Sequence, residues 1–259
     1  MNIMAIYASH SKIVNRCNME LIIAKNYDEI SDKASEIFIE LIKRNPEAKL
    51  GLATGSSPLG LYQRLIQAYN KHEISFKQIT TFNLDEYVGI SRNHPQSYFS
   101  FMNENLFKHI DIDLDHVHLP DNDLSKIDTI AKDYNKLLRK NPIDLQVLGI
   151  GSNGHIGFNE PGTPLGNETF VVELDEQTRN DNSRFFGHVD LVPTHAITMG
   201  IKNIMRAKHI ILIASGKEKS DAIYQMLYGE VTTDLPASVL QLHPNCTVII
   251  DEEAARLLP

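Results

Sequence analysis

Cysteine is almost missing from this chain. The two in 259 residues, Cys17 and Cys246, form neither a CxxC pair nor a Cys/His spacing suited to a metal. No disulfide framework is encoded, and both thiols are expected to stay reduced, as they would in the cytosol. Tryptophan is absent, and no Pro/Ser/Gln-rich or single-charge tract occurs, which excludes a fibrous or disordered protein. Long apolar runs are lacking too. Val147–Ile150 and His209–Ala214 fall far short of the roughly 20 residues a membrane helix requires. Positive charge is in deficit, with 25 Lys+Arg against 33 Asp+Glu for a net charge of −8, so neither a nucleic-acid surface nor a polybasic membrane patch is expected. An anionic ligand must therefore be held by a local arrangement. Met1–Asn18 has no apolar core or small-residue cleavage site, which excludes a signal peptide. Residues 1–18 read as a loosely ordered N-terminal extension, and residues 19–259 as one domain.

What is present is ordinary globular material, 42% hydrophobic and 22% charged. At this length about 75% of the unfolded surface can be buried. Glu20–Ala24 reads as a strand. Ile30, Ala34, Ile37, Phe38, Leu41 and Ile42 follow a helical period, with Ser31 as the cap and Asn45-Pro46 as the stop. Lys49–Ala53 is a strand that turns through Thr54–Pro58 into a helix over Leu59–Asn70. Further strands are predicted at Gln78–Leu84, Ile143–Gly149, Thr169–Leu174, His209–Ala214 and Thr247–Ile250. Helices are predicted at Gln96–Phe107, Ser125–Arg139 and Lys217–Leu227. The alternation specifies an α/β fold: a single domain built on a mostly parallel, Rossmann-like open sheet with helices on both faces.

Ligands bind outside the carboxyl ends of the strands in such sheets, so the residues after each strand carry the functional signal. Thr54-Gly55-Ser56-Ser57-Pro58 combines a flexible glycine, hydroxyls, Ser57 as an N-cap and Pro58 at the first helical position, which suits a phosphate at a helix N-terminus. A well-capped helix start with no ligand uses the same residues. Ser215–Lys219 opens another helix and sets lysines in its first turn, where the macrodipole disfavours cations; a bound phosphate would offset that repulsion. Gly149-Ile-Gly-Ser-Asn-Gly154 matches GxGxxG, but Gly157, Pro161, Gly162, Pro164 and Gly166 prevent the helix that a dinucleotide site needs. The loop instead presents His155, with Asn153 and Glu160 placed to orient it as an acid/base group. No metal-ligand spacing accompanies it. Asp85 and Glu86 stand where the Gln78–Leu84 strand ends. Because alternate strand residues face opposite ways, only one need enter a cleft, where burial would raise its pKa toward general-base range. Arg184, followed by Phe185 and Phe186, suits a bidentate grip on phosphate, although a surface ion pair would need the same residue.

The segments Thr81-Phe-Asn-Leu-Asp-Glu-Tyr-Val-Gly89, His94-Pro-Gln-Ser-Tyr98, Gly149 through Gly162, Asn182-Ser-Arg-Phe-Phe186 and Leu240-Gln-Leu-His-Pro244 resemble the glucosamine-6-phosphate deaminase (isomerase) family. The resemblance runs from about Met19 to Asp251. It implies cofactor-free conversion of glucosamine 6-phosphate and water to fructose 6-phosphate and ammonia in amino-sugar breakdown. By the same resemblance Asp85 is the enolisation base, and His155 opens the sugar ring with help from Glu160 and Asn153. Thr54, Gly55, Ser56, Ser57, Arg184 and Lys219 cradle the phosphate. Some members hold Asp where this chain has Asn153, and an amide orients an imidazole without stabilising its charge. Allosterically activated hexameric members carry Arg and Lys at the positions of Phe170 and Val172, so effector activation is not expected here; the oligomeric state stays open. Two other readings share the sheet: a 6-phosphogluconolactonase-like hydrolase, and a non-catalytic sugar-phosphate sensor. The first leaves Asp85 without a task, and the second needs only the phosphate cradle.

Overall fold

Strands whose residues are apolar at nearly every position, rather than at alternate ones, belong in a parallel sheet covered on both faces. This computed structural model, which describes residues 11–13, 19–174, 183 and 186–259, bears that out. Ser11–Ile13 (β1), Met19–Ala24 (β2), Lys49–Leu52 (β3), Thr80–Asn83 (β4), Asp85–Val88 (β5), Val117–His118 (β6), Leu145–Leu148 (β7), Phe170–Glu173 (β8), His195–Thr198 (β9), Ile210–Ala214 (β10) and Cys246–Asp251 (β11) are its strands. The main sheet runs β1-β2-β11-β10-β7-β3-β4-β6. Every pairing in it is parallel except β1 on β2. All residues of β10 and β11 are buried, and the core is continuous from Leu21 through Leu50, Val147 and Leu212 to Ile249. Of the expected N-terminal extension, Ser11–Ile13 pairs with the β2 edge; residues 1–10 and 14–18 lie outside the described residues.

Helices Tyr27–Arg44 (α1), Leu59–Asn70 (α2), Tyr98–Asn105 (α3), Ile130–Lys140 (α4), Ile201–Ile204 (α5) and Ser220–Tyr228 (α6) connect the strands. Three local expectations are corrected. Ser31 does not cap α1: Asn26 does, accepting from the Glu29 N–H, while Ser31 is buried one turn in and donates to the Tyr27 carbonyl. Ser57 does not cap α2, whose N-cap is Pro58 and has no side-chain cap. The lysines at 217 and 219 lie in a short 3₁₀ turn, and α6 begins only at Ser220.

The expected strand Gln78–Leu84 and the loop after it are also redrawn. Asp85–Val88 is a strand of a second, antiparallel sheet, ordered β5-β9-β8. Leu84 is the joint between the two sheets: its N–H donates to the Leu52 carbonyl in the main sheet, and its carbonyl accepts from the Met199 N–H beside β9. Sequence pattern alone could not locate this break, because every residue of the two strands but the half-buried Thr80 is buried and neither strand alternates.

Candidate active site

After β3 the chain builds toward one edge through β4 and β6, and after β7 toward the other through β10 and β11. The strand order therefore reverses between the neighbours β3 and β7, which is where open α/β sheets place their ligands. The Thr54–Pro58 turn follows β3, and the Gly149–Glu160 loop follows β7. They touch, since a Cβ added to Gly149 would lie 3.2 Å from Ser57 Oγ.

The first turn leaves backbone donors exposed to a cavity. Gly55 takes φ +89°, a backbone region costly for other residues. The N–H groups of Gly55, Ser56 and Ser57 have no hydrogen-bond partner among the described residues. Ser56 and Ser57 line a cavity of about 540 Å³ whose other wall includes Ser215, Glu218 and Lys219 from the turn after β10. Lys219 forms no ion pair among the described residues. Asp251, at the end of β11, fixes that second turn: it accepts from the Ser215 hydroxyl and, at 3.0 and 3.1 Å, from the Gly216 N–H. Unpartnered N–H donors opposite an unpaired ammonium are the elements of a phosphate site. Arg184 lies outside the described residues.

The loop after β7 carries the candidate acid/base group. Gly151 is required there because the His155 ring occupies the space a side chain would take, 2.4 Å from an added Cβ. Nδ1 of His155 lies 3.1 Å from Glu160 Oε1, a charge contact when the ring is protonated, although the ring N–H is not aligned for a hydrogen bond. Asn153 organises the group: its Nδ2 donates to Glu160 Oε2 at 2.8 Å, and its Oδ1 accepts the His155 N–H at 3.1 Å. The three residues singled out in this loop therefore form one cluster, with His155 and Glu160 partly open to solvent.

Asp85 begins β5 opposite Thr198 of β9. It is buried, and no side chain or N–H among the described residues hydrogen-bonds its carboxylate. Burial is the main cause that lifts its pKa to about 8, and the neighbouring Glu86 charge adds to it. Gly157, two residues after His155, passes so close that its missing Cβ would lie 3.5 Å from Asp85 Oδ2 and 2.9 Å from Thr198 Oγ1. Glu86 faces away. It accepts from the N–H groups of Tyr87, Tyr98 and Phe99 and so secures the start of α3, a structural task for the second carboxylate. Tyr87 packs on Tyr98, Phe158 and Phe186, an aromatic wall beside the Asp85 strand. Among the described residues no three His, Cys, Asp or Glu side chains converge as a metal-binding group.

Sequence reading missed Tyr27, Asp251 and Thr198, which act at these turns from other elements. Tyr27 reaches its turn through the close approach of Gly60 to Ser31, and nothing local in the sequence marks Asp251 or Thr198.

Residues 24–249 match the profile of the family described as glucosamine-6-phosphate isomerases/6-phosphogluconolactonase. A glucosamine-6-phosphate deaminase of Thermoanaerobacter pseudethanolicus is 51% identical over 93% of this chain and 96% of its own. Glucosamine-6-phosphate deaminase 2 of Bacillus subtilis is 52% identical over 93% of this chain and 98% of its own. A solved monomeric glucosamine-6-phosphate deaminase superimposes with a TM-score of 0.87 at 44% identity, covering 92% of this chain and 99% of the other. The 6-phosphogluconolactonase of Trypanosoma brucei, at 20% identity and a TM-score of 0.77, shares the fold.

Proposed function

The chain belongs to the glucosamine-6-phosphate isomerase/6-phosphogluconolactonase family, and from that premise we infer that it converts D-glucosamine 6-phosphate and water to D-fructose 6-phosphate and ammonia. The observation that carries the deaminase reading over the lactonase one is Asp85. A buried carboxylate with no hydrogen bond of its own and a pKa near 8 is suited to take a proton from carbon. Lactone hydrolysis has no such proton to move.

The chemistry follows from the order in which protons can leave. The C2 proton of the sugar is acidic only when C1 is an aldehyde, so the pyranose ring must open first. We assign that step to His155, which removes the proton from the C1 hydroxyl as the C1–O5 bond breaks and returns it to O5, which becomes a hydroxyl. Glu160 offsets the charge on the imidazolium, and Asn153 holds Glu160 in place. Asp85 then accepts the C2 proton while O1 takes a proton from the 2-ammonium group, the C1–C2 enolamine forms, and the same carboxyl delivers a proton to C1, leaving the C2 imine protonated. The product is an imine at C2 with a hydroxymethyl group at C1. Water adds to the imine carbon, and ammonia departs as the C2 ketone forms. No electrons are exchanged with an outside group, and we propose no cofactor.

Thr54, Gly55, Ser56, Ser57 and Lys219 form the phosphate grip in this proposal, and Arg184 is assigned to it by resemblance. Gripping the phosphate orients the sugar without taking part in proton transfer. We place the reaction in the cytoplasm, in the breakdown of amino sugars, where a charged sugar phosphate is retained. Among the described residues no helix is long and apolar enough to cross a membrane. The test is direct. Purified protein incubated with glucosamine 6-phosphate should release ammonia and fructose 6-phosphate in equal amounts. Hydrolysis of 6-phosphogluconolactone without ammonia release from the amino sugar would install the lactonase reading, and binding without turnover would install the sensor.

A further inference from the structure

We propose that Tyr27, the first residue of α1, is a positioning residue for the phosphate site, acting through the Ser56–Ser57 turn. This rests on the phosphate assignment made above. A phenol has one proton to donate and two lone pairs. The Tyr27 hydroxyl accepts from the Gly60 N–H at 2.8 Å and directs its own proton at the Ser56 carbonyl, 2.8 Å away, and the Ser57 carbonyl, 3.0 Å away. With these partners the hydroxyl's proton and one of its lone pairs are taken by protein, although Tyr27 lines the cavity.

The consequence concerns the N–H groups. A trans peptide is planar, with its C=O and N–H on opposite sides. Drawing the Ser56 carbonyl toward α1 therefore turns the Ser57 N–H the other way. Two carbonyl oxygens that would repel an anion are held by a donor, and the N–H groups of residues 55–57 stay unpartnered. Pro58 supplies no N–H and α2 has no side-chain cap; besides Tyr27, the Ser56 carbonyl accepts only a long bond, 3.4 Å, from the Leu59 N–H among the described residues.

The contact depends on two small residues. A Cβ on Gly60 would stand 2.0 Å from Ser31 Oγ and 3.1 Å from Tyr27 Cε1. The glycine lets α1 and α2 approach closely enough for the hydroxyl to reach the start of α2, and Ser31 in turn donates to the Tyr27 carbonyl at 2.8 Å.

Tyr27→Phe removes one oxygen and leaves the ring, so it tests the hydroxyl with little risk to the fold. The expected result is a KM for glucosamine 6-phosphate raised roughly five- to tenfold, about the equilibrium effect of one net hydrogen bond. The inhibition constant of inorganic phosphate, used as a competitive probe, should rise by the same factor, with kcat within about twofold. A purely structural hydroxyl would lower Tm and leave the phosphate constant where it was; that result, or an unchanged KM, overturns the assignment. Lys219→Ala and wild-type phosphate inhibition serve as controls. If inorganic phosphate competes with substrate and Lys219→Ala raises KM while Tyr27→Phe is silent, only the Tyr27 inference fails. If phosphate does not compete and Lys219→Ala is silent, the phosphate reading fails and takes this inference with it.

Discussion

At the residue scale, Asp85 and Glu86 show how position decides chemistry for two adjacent carboxylates. Both are buried, and burial raises both pKa values. Glu86 recovers part of that cost through three N–H donors, whereas Asp85 has none. An isolated buried carboxylate destabilises the folded chain in its charged form. The sign follows from proton binding: with a folded pKa of about 8 against an ordinary carboxylate value of 3.8, the native state holds more protons between those limits, so its stability falls as pH rises through that window. Asp85→Asn should therefore lower kcat by on the order of 10³-fold, within the usual range for loss of a general base. It should also raise Tm relative to the parent at pH 9 but not at pH 4, as scanning calorimetry at the two pH values would record. Loss of activity with an equal loss of Tm at both would point to misfolding instead. Because the base must be ionised, kcat/KM of the parent should climb with pH and level off above about pH 8, a limb that a pH–rate profile reads directly.

At the scale of the element, the loop from Gly149 to Glu160 does two jobs within a few residues. Its glycines make room for the His155 ring at Gly151 and for Asp85 and Thr198 at Gly157. Gly157 has φ +58°, so any side chain there is both strained and crowded. Gly157→Ala should cost about 1–3 kcal/mol of stability and lower kcat more than it raises KM, since the loop would be pushed off Asp85 rather than off the phosphate turn. Urea unfolding and steady-state kinetics together check this; a rise in KM alone would mean that the loop contacts a different part of the substrate. The turn after β10 should show the opposite split. Lys219→Ala should raise KM by about tenfold or more, as loss of a charge-assisted contact implies, with kcat little changed. In both elements the residue types were legible in sequence, because glycines that break a GxGxxG helix and lysines ahead of a helix are local anomalies. The caps were not. Whether Ser31, Asn26, Ser57 or Pro58 begins a helix depends on neighbours such as the Tyr27 hydroxyl, which satisfies the Gly60 N–H from another helix.

At the scale of the whole molecule, the two sheets meet at Leu84, and the strand order of the main sheet reverses between the parallel neighbours β3 and β7. That geometry gathers the turn after β3, the end of β4 and the loop after β7 at one end of the sheet. Phe170 and Val172, both on β8 of the small sheet, are apolar, and Val172 packs against the Tyr87 cluster. Neither can bind a phosphate. Substrate saturation should be hyperbolic and should keep its midpoint when N-acetylglucosamine 6-phosphate is added; a clear leftward shift would refute this. The alternating pattern of apolar runs and amphipathic segments determined the α/β class and most element positions, since those depend on side chains a few residues apart. The family motifs named Asp85, His155 and Glu160. The split of one apolar stretch into β4 and β5, the turning of Asp85 toward Gly157 and of Glu86 toward α3, and the reach of Tyr27 and Asp251 to distant turns were decided only by tertiary structure. Each joins residues far apart in the chain, and no local periodicity records a contact of that kind.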